Sequence, residues 1–181
     1  MPVIERTRPW RLDFLIKAPA GQLWRAFWVA SGLGMTGLMF NTNFGLFLDS
    51  AETRCMPERL YMGYPLWREI RQGDVVSFKA DNQMMFDLMT GKRITKIVAA
   101  RQGDHVRSDS SGVFINDERV AVRHHNSLEN LALKGNDPIN INRELLKGEV
   151  FVLGVLPRSF DSRYWGPMPE GRIDRLVKPL L

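Results

Sequence analysis

The chain has a single cysteine, Cys55, in the stretch Thr53-Arg-Cys-Met-Pro-Glu-Arg-Leu-Tyr61. A thiol is partly ionised near neutral pH and can act as a nucleophile, or it can fill a core as a small hydrophobe. About forty residues on, Lys96 interrupts the apolar run Ile-Thr-Lys-Ile-Val-Ala-Ala at 94–100. If that strand is buried, loss of water favours the neutral amine, which is the form a general base requires. If the strand alternates with its lysine on the wet face, Lys96 is an ordinary surface cation. The third feature is Ser159-Phe-Asp-Ser-Arg-Tyr-Trp-Gly166. Asp161 and Arg163 share one face of an extended chain, so a local ion pair is expected, either as a clamp in a turn or as part of a site.

Three chemistries find little support. One cysteine allows no internal disulfide and no multi-thiolate zinc site. His124-His125 has no nearby Cys or carboxylate cluster, so a solvated loop is expected there rather than a metal centre, and nothing calls for a cofactor. The net charge of +5 raises nucleic acid as a partner, but no run of Lys and Arg interleaved with aromatics accompanies it.

The elements that would position these groups follow from patterning. Residues 1–25 are polar and basic and are expected in the cytoplasm. Residues 26–48 carry no ionisable side chain; as a helix these roughly 23 residues would reach about 35 Å, against a hydrocarbon core of about 30 Å. We expect one transmembrane helix there, with Trp24 and Trp28 in the interfacial belt; the alternative is a buried core helix. The basic flank orients residues 49–181 outside the cytoplasmic membrane as a single extracytoplasmic domain. Strands are expected at 73–80, 94–100, 103–107, 113–122 with an Asn116-Asp117 turn, 148–154 and 172–178. Residues 123–147 read as a loop or short helix, and the Met-rich 82–89 as core packing. Many short strands without a βαβ rhythm predict a mainly β fold, a compact antiparallel domain behind one N-terminal transmembrane helix.

GDVVSFKA at 73–80, KIVAARQGD at 96–104, GEVFVLG at 148–154 and SFDSRYWGPMPEGRI at 159–173 resemble the successive boxes of type I signal peptidases. TRCMPERLY at 53–61 resembles the nucleophile box of the TraF-type peptidases of conjugative transfer. The resemblance implies Cys55 as nucleophile, in place of the family's serine, and Lys96 as its general base. It implies that Thr53 helps the backbone hold the oxyanion, that Ser159 orients the lysine amine, and that Asp161 is a third catalytic residue paired with Arg163. Arg59 replaces a usual glycine, and Val155-Leu-Pro-Arg158 replaces acidic and amide residues. The implied function is an inner-membrane endopeptidase of signal-peptidase type, with its catalytic domain in the periplasm. It would process, and in TraF-like relatives cyclise, an exported pilin-like precursor for type IV secretion. The implied partners are that precursor, the lipid bilayer and the conjugation machinery. The rival expectation is a catalytically impaired assembly factor that keeps the peptidase fold.

Overall fold

The computed structural model describes residues 20–48, 55–80 and 91–180. The chain divides into two units on either side of the Asn43–Phe44 junction. In the first, helix α1 covers Ala20–Asn43. It differs from the expected span at both ends. Gly45–Leu48, the last residues of the apolar run, form strand β1 and pair with β2, Leu60–Tyr64. Arg25 lies inside the helix and its last residues are Asn-Thr-Asn. Among the described residues, no helix is long and apolar enough to cross a membrane.

The second unit is built from antiparallel strands. After β2 come β3 (Val75–Lys79), β4 (Arg93–Arg101), β5 (His105–Asp109), β6 (Gly112–Ile115), β7 (Glu118–Ala121), helix α2 (His125–Leu133), β8 (Ile141–Glu144), β9 (Glu149–Leu153), the short helix α3 (Ser162–Trp165), β10 (Met168–Pro169) and β11 (Ile173–Pro179). Seven strands form one sheet in the order β1-β2-β11-β3-β4-β9-β10, and four form a second in the order β7-β6-β5-β8. The mainly β antiparallel architecture expected from the sequence is therefore present. Asn116 and Asp117 have φ of 50° and 67° and close the β6–β7 hairpin, as residues that tolerate the left-handed region do in a tight turn. The segment 123–147, expected as a loop or short helix, contains both α2 and β8. The sequence of β8, Ile-Asn-Arg-Glu, has one apolar residue, and its alternation suits an edge strand.

Strand β4 joins the two cores. It alternates throughout, with Ile94, Lys96, Val98 and Ala100 buried. Ile94 and Val98 belong to the larger core with Val76, Phe78, Val152 and Leu176. Ala100 packs with Val106, Val113 and Phe151 in the smaller one. Full burial of a Val or Leu contributes about 1.5–3 kcal/mol, so these rows fix which face of β4 points inward. Lys96 lies opposite Val76, and Val76 opposite Leu176, so the lysine shares the inward face.

Candidate active site

Lys96 is completely withdrawn from solvent. Its Nζ donates to Ser159 Oγ at 2.7 Å, the one hydrogen bond of that amine among the described residues. The wet-face alternative is thereby removed. The strand does alternate, but its lysine is on the dry side.

Ser159 reaches this position through the loop after β9. Gly154 N–H donates to Asp161 Oδ2 at 2.8 Å, and Ser159 N–H closes a turn on the Leu156 carbonyl at 2.9 Å. Asp161 then caps α3, accepting from the backbone N–H of Arg163 at 3.1 Å. The Arg163 guanidinium lies against the same carboxylate, with Nε 2.8 Å from Oδ1 and Nη2 2.6 Å from Oδ2. Its remaining donors hold the carbonyls of Gly154 at 3.1 Å, Pro157 at 3.4 Å and Leu156 at 3.5 Å. Burial on its own would lower the Arg163 pKa. The hydrogen bond to Asp161 and the charges of Asp161, Tyr164 and Cys55 outweigh it and hold the guanidinium above its usual value. The pair thus serves as a fixed clamp on the loop that carries Ser159.

Cys55 enters the same region through its backbone. Its carbonyl accepts from Leu156 N–H at 3.2 Å. A Cβ placed on Gly154 would lie 2.0 Å from Ser159 Oγ and 2.7 Å from the Cys55 carbonyl oxygen, so only glycine leaves the two segments room to meet. The half-exposed thiol residue packs with Met56, Tyr61 and Val177, a group that includes Val75 and Ile97. Those two face away from Lys96 across the β3–β4 pair. Among the described residues the thiol makes no hydrogen bond to the lysine.

Of the residues singled out from sequence, Lys96 and Ser159 are therefore in contact, as are Asp161 and Arg163. Cys55 borders both pairs through its carbonyl. Among the described residues Asp161 and Arg163 make no hydrogen bond to the amine or the thiol; their bonds run to each other and to the loop that carries Ser159. Thr53 and the Met-rich 82–89 lie outside the described residues. Two contributors went unrecognised in the sequence. Gly154 sat within a strand motif, where its only signal was the missing side chain. The other is the Leu156 N–H, a backbone group that residue type cannot reveal.

One edge near the site lacks a strand partner among the described residues. Val98 directs its N–H and C=O towards the Gly73–Asp74 turn ahead of β3, so by alternation Thr95 directs its own the other way. On that side β9 pairs with β4 only as far as Ile97 and Leu153. Thr95 therefore offers a donor and an acceptor beside Lys96 with no strand, among the described residues, to take them.

The site thus combines a buried lysine held by a serine hydroxyl with a strand edge that has no strand partner among the described residues. The model of the signal peptidase family, peptidase S26, matches residues 33–178, and the chain belongs to that family. Among solved structures it is similar to a signal peptidase I from Enterococcus faecalis V583, at 20% identity over 61% of this chain and 98% of that one, with a TM-score of 0.39. No curated protein matches.

Proposed function

We propose that this chain is an endopeptidase of signal-peptidase type, working at the cytoplasmic membrane on an exported pilin-like precursor for conjugative transfer. The observation that carries the reading is the Lys96 amine, dry and bonded among the described residues only to Ser159, at a gap bordered by the backbone of Cys55. A general base acts through its neutral form, and the proposed role asks this of the Lys96 amine. The precursor would lie as an added strand along the Thr95 edge. Lys96 takes the thiol proton, and the sulfur attacks the scissile carbonyl carbon. Thr53 and the Cys55 N–H stabilise the oxyanion, a role in which loss of one donor typically costs about two to three orders of magnitude. The proton passes from Lys96 to the departing amine, leaving a thioester. Water then releases the acid, or an amine of the same precursor attacks and closes a ring. Asp161 acts through the loop it clamps.

The membrane placement draws on α1, where Trp24, Phe27 and Trp28 are exposed, Trp24 stacked on Phe27 and Trp28 edge-on to both, and Leu33, Met35, Leu38 and Met39 are exposed beyond them. Residues 49–181 would then lie on the periplasmic side. Alkaline carbonate washing of membranes tests the anchor: a helix that spans stays with the pellet, and one that lies on the surface is released.

A second reading has one observation in its favour. The Cys55 thiol rests against Met56, Tyr61 and Val177 without a hydrogen bond to Lys96, as suits an assembly factor that keeps the fold with impaired chemistry. Incubating precursor with the wild type, Cys55→Ser and Cys55→Ala separates the two. Cleavage by the wild type and loss in Cys55→Ala supports the peptidase; equal inertness of all three supports the factor. Mass spectrometry identifies the product, since a ring is one water lighter than the linear cleaved form.

A further inference from the structure

Two arginines flank the candidate nucleophile with no salt-bridge partner among the described residues. Arg59 follows Cys55 by four residues, and Arg158 immediately precedes Ser159; both side chains are exposed. Their loops are joined by the Leu156 N–H to Cys55 carbonyl bond. The Arg158 loop is held from both ends, by Arg163 on the Pro157 carbonyl and by Lys96 on Ser159 Oγ, so its backbone is fixed beside the site. Neither arginine forms a salt bridge among the described residues. Elsewhere in the same unit the pattern is pairing: Arg68 with Asp74, Arg93 with Asp174, Arg107 with Asp109 and Arg143 with Glu149, all within 2.7 Å. The described acid on these loops, Glu58, faces the Tyr61 hydroxyl at 3.5 Å.

We propose that Arg59 and Arg158 form a cationic rim that selects peptides carrying an acidic side chain within a few residues of the scissile bond. The proposal rests on the peptidase reading of the site and narrows its substrate class. Exposed cations with no ion-pair partner among the described residues, on two loops joined beside the site, attract an anionic side chain and repel a cationic one. The effect falls as salt screens it, over a Debye length of about 10 Å at 0.1 M. The rim belongs to the peptide rather than to a lipid headgroup because Arg158 is the residue next to the serine that holds Lys96.

The test uses the full chain in detergent micelles and a set of quenched-fluorescence decapeptides. Each has small residues at its centre and Asp, Asn or Lys at one of the positions around it. At low ionic strength the wild type is expected to favour Asp over Lys by roughly tenfold in kcat/KM at one or two positions, with the preference shrinking to about twofold at 0.5 M salt. Arg59→Gln narrows the preference, and Arg158→Glu reverses it, a gain that misfolding cannot mimic. Cleavage of every peptide at equal rates overturns the rim and leaves the peptidase standing. Absence of cleavage overturns the peptidase reading, and the rim is then decided by fluorescence-anisotropy binding of the same peptides. Preference for Asp that Arg158→Glu reverses upholds it, and indifference to charge overturns it. Variants that weaken binding to phosphatidylglycerol vesicles while leaving peptide preference unchanged assign the arginines to lipid and overturn the proposal.

Discussion

Asp161 and Arg163 form a side-on ion pair with Nη2 2.6 Å from Oδ2, the carboxylate fully buried and the guanidinium nearly so. They are two residues apart, yet they do not meet along an extended chain. Asp161 is the cap of α3 and Arg163 lies in its first turn. The cap fixes the carboxylate, the carboxylate fixes the guanidinium, and the guanidinium holds three carbonyls of the loop that delivers Ser159 to Lys96.

Removing one member of a buried pair strands the other, at a typical cost of about 3–5 kcal/mol. Asp161→Asn should lose stability in that range in urea unfolding, with any loss of cleavage appearing as reduced kcat at little changed KM. A variant that unfolds within about 1 kcal/mol of wild type would mean that the loop is held by something other than this pair.

Gly154→Ala tests the close approach. The added methyl would occupy the space of Ser159 Oγ, 2.0 Å away, and crowd the Cys55 carbonyl at 2.7 Å. Overpacking of this kind typically costs about 1–3 kcal/mol. The larger effect should be functional, because the displaced hydroxyl is the lysine's only hydrogen-bond partner among the described residues. Cleavage should fall at least tenfold, as misplacement by about 1 Å can cost a hundredfold. Wild-type rates in a folded Gly154→Ala protein would show that Ser159 does not need its present position.

Stability should fall in acid through three surface carboxylates. Asp109 is held down to about 2 by its hydrogen bonds to the Ser111 side chain and backbone, then by Arg107. The side-chain bond from Arg68 lowers Asp74, and that from Arg143 lowers Glu149. A depressed folded pKa stabilises the protein above the unfolded value of about 4, and the contribution is lost as pH falls through the folded value. The urea midpoint should therefore decline between about pH 4 and pH 2. Asp109→Asn should be less stable than wild type at pH 6, with the gap closing towards pH 2. A gap that stays constant across that range would separate its cause from ionisation.

The legible parts of this chain are those where local chemistry and tertiary structure agree. The β4 run at 94–100 and the Asn116-Asp117 turn are set by side-chain type and backbone preference, and both stand where the sequence puts them. The inward direction of Lys96 was not legible, because Thr95-Lys96-Ile97 alternates equally well either way. The decision comes from Val76 and Leu176 across the sheet. The unbroken apolar run at 26–48 concealed a helix end and a strand, since periodicity does not register a change of partner. Boxes in the right order identified the family, but the contact of Gly154 with Ser159 and Cys55 depends on chain segments about a hundred residues apart.

Lys96 itself should be a place where stability is sacrificed. An amine with one neutral hydrogen-bond partner and no carboxylate among the described residues, in a row with Val76 and Leu176, occupies a position that a methionine of similar length would fill without desolvating a polar group. Lys96→Met is expected to raise the unfolding free energy by about 1–3 kcal/mol, by analogy with apolar replacement of buried ionic groups. The same change should remove the two to four orders of magnitude that a general base typically contributes to cleavage. Ser159→Ala in that background should cost little, because its hydroxyl no longer has an amine to hold. If Lys96→Met is instead destabilising by more than about 1 kcal/mol, the amine is an integral part of the core, and its burial says nothing about catalysis.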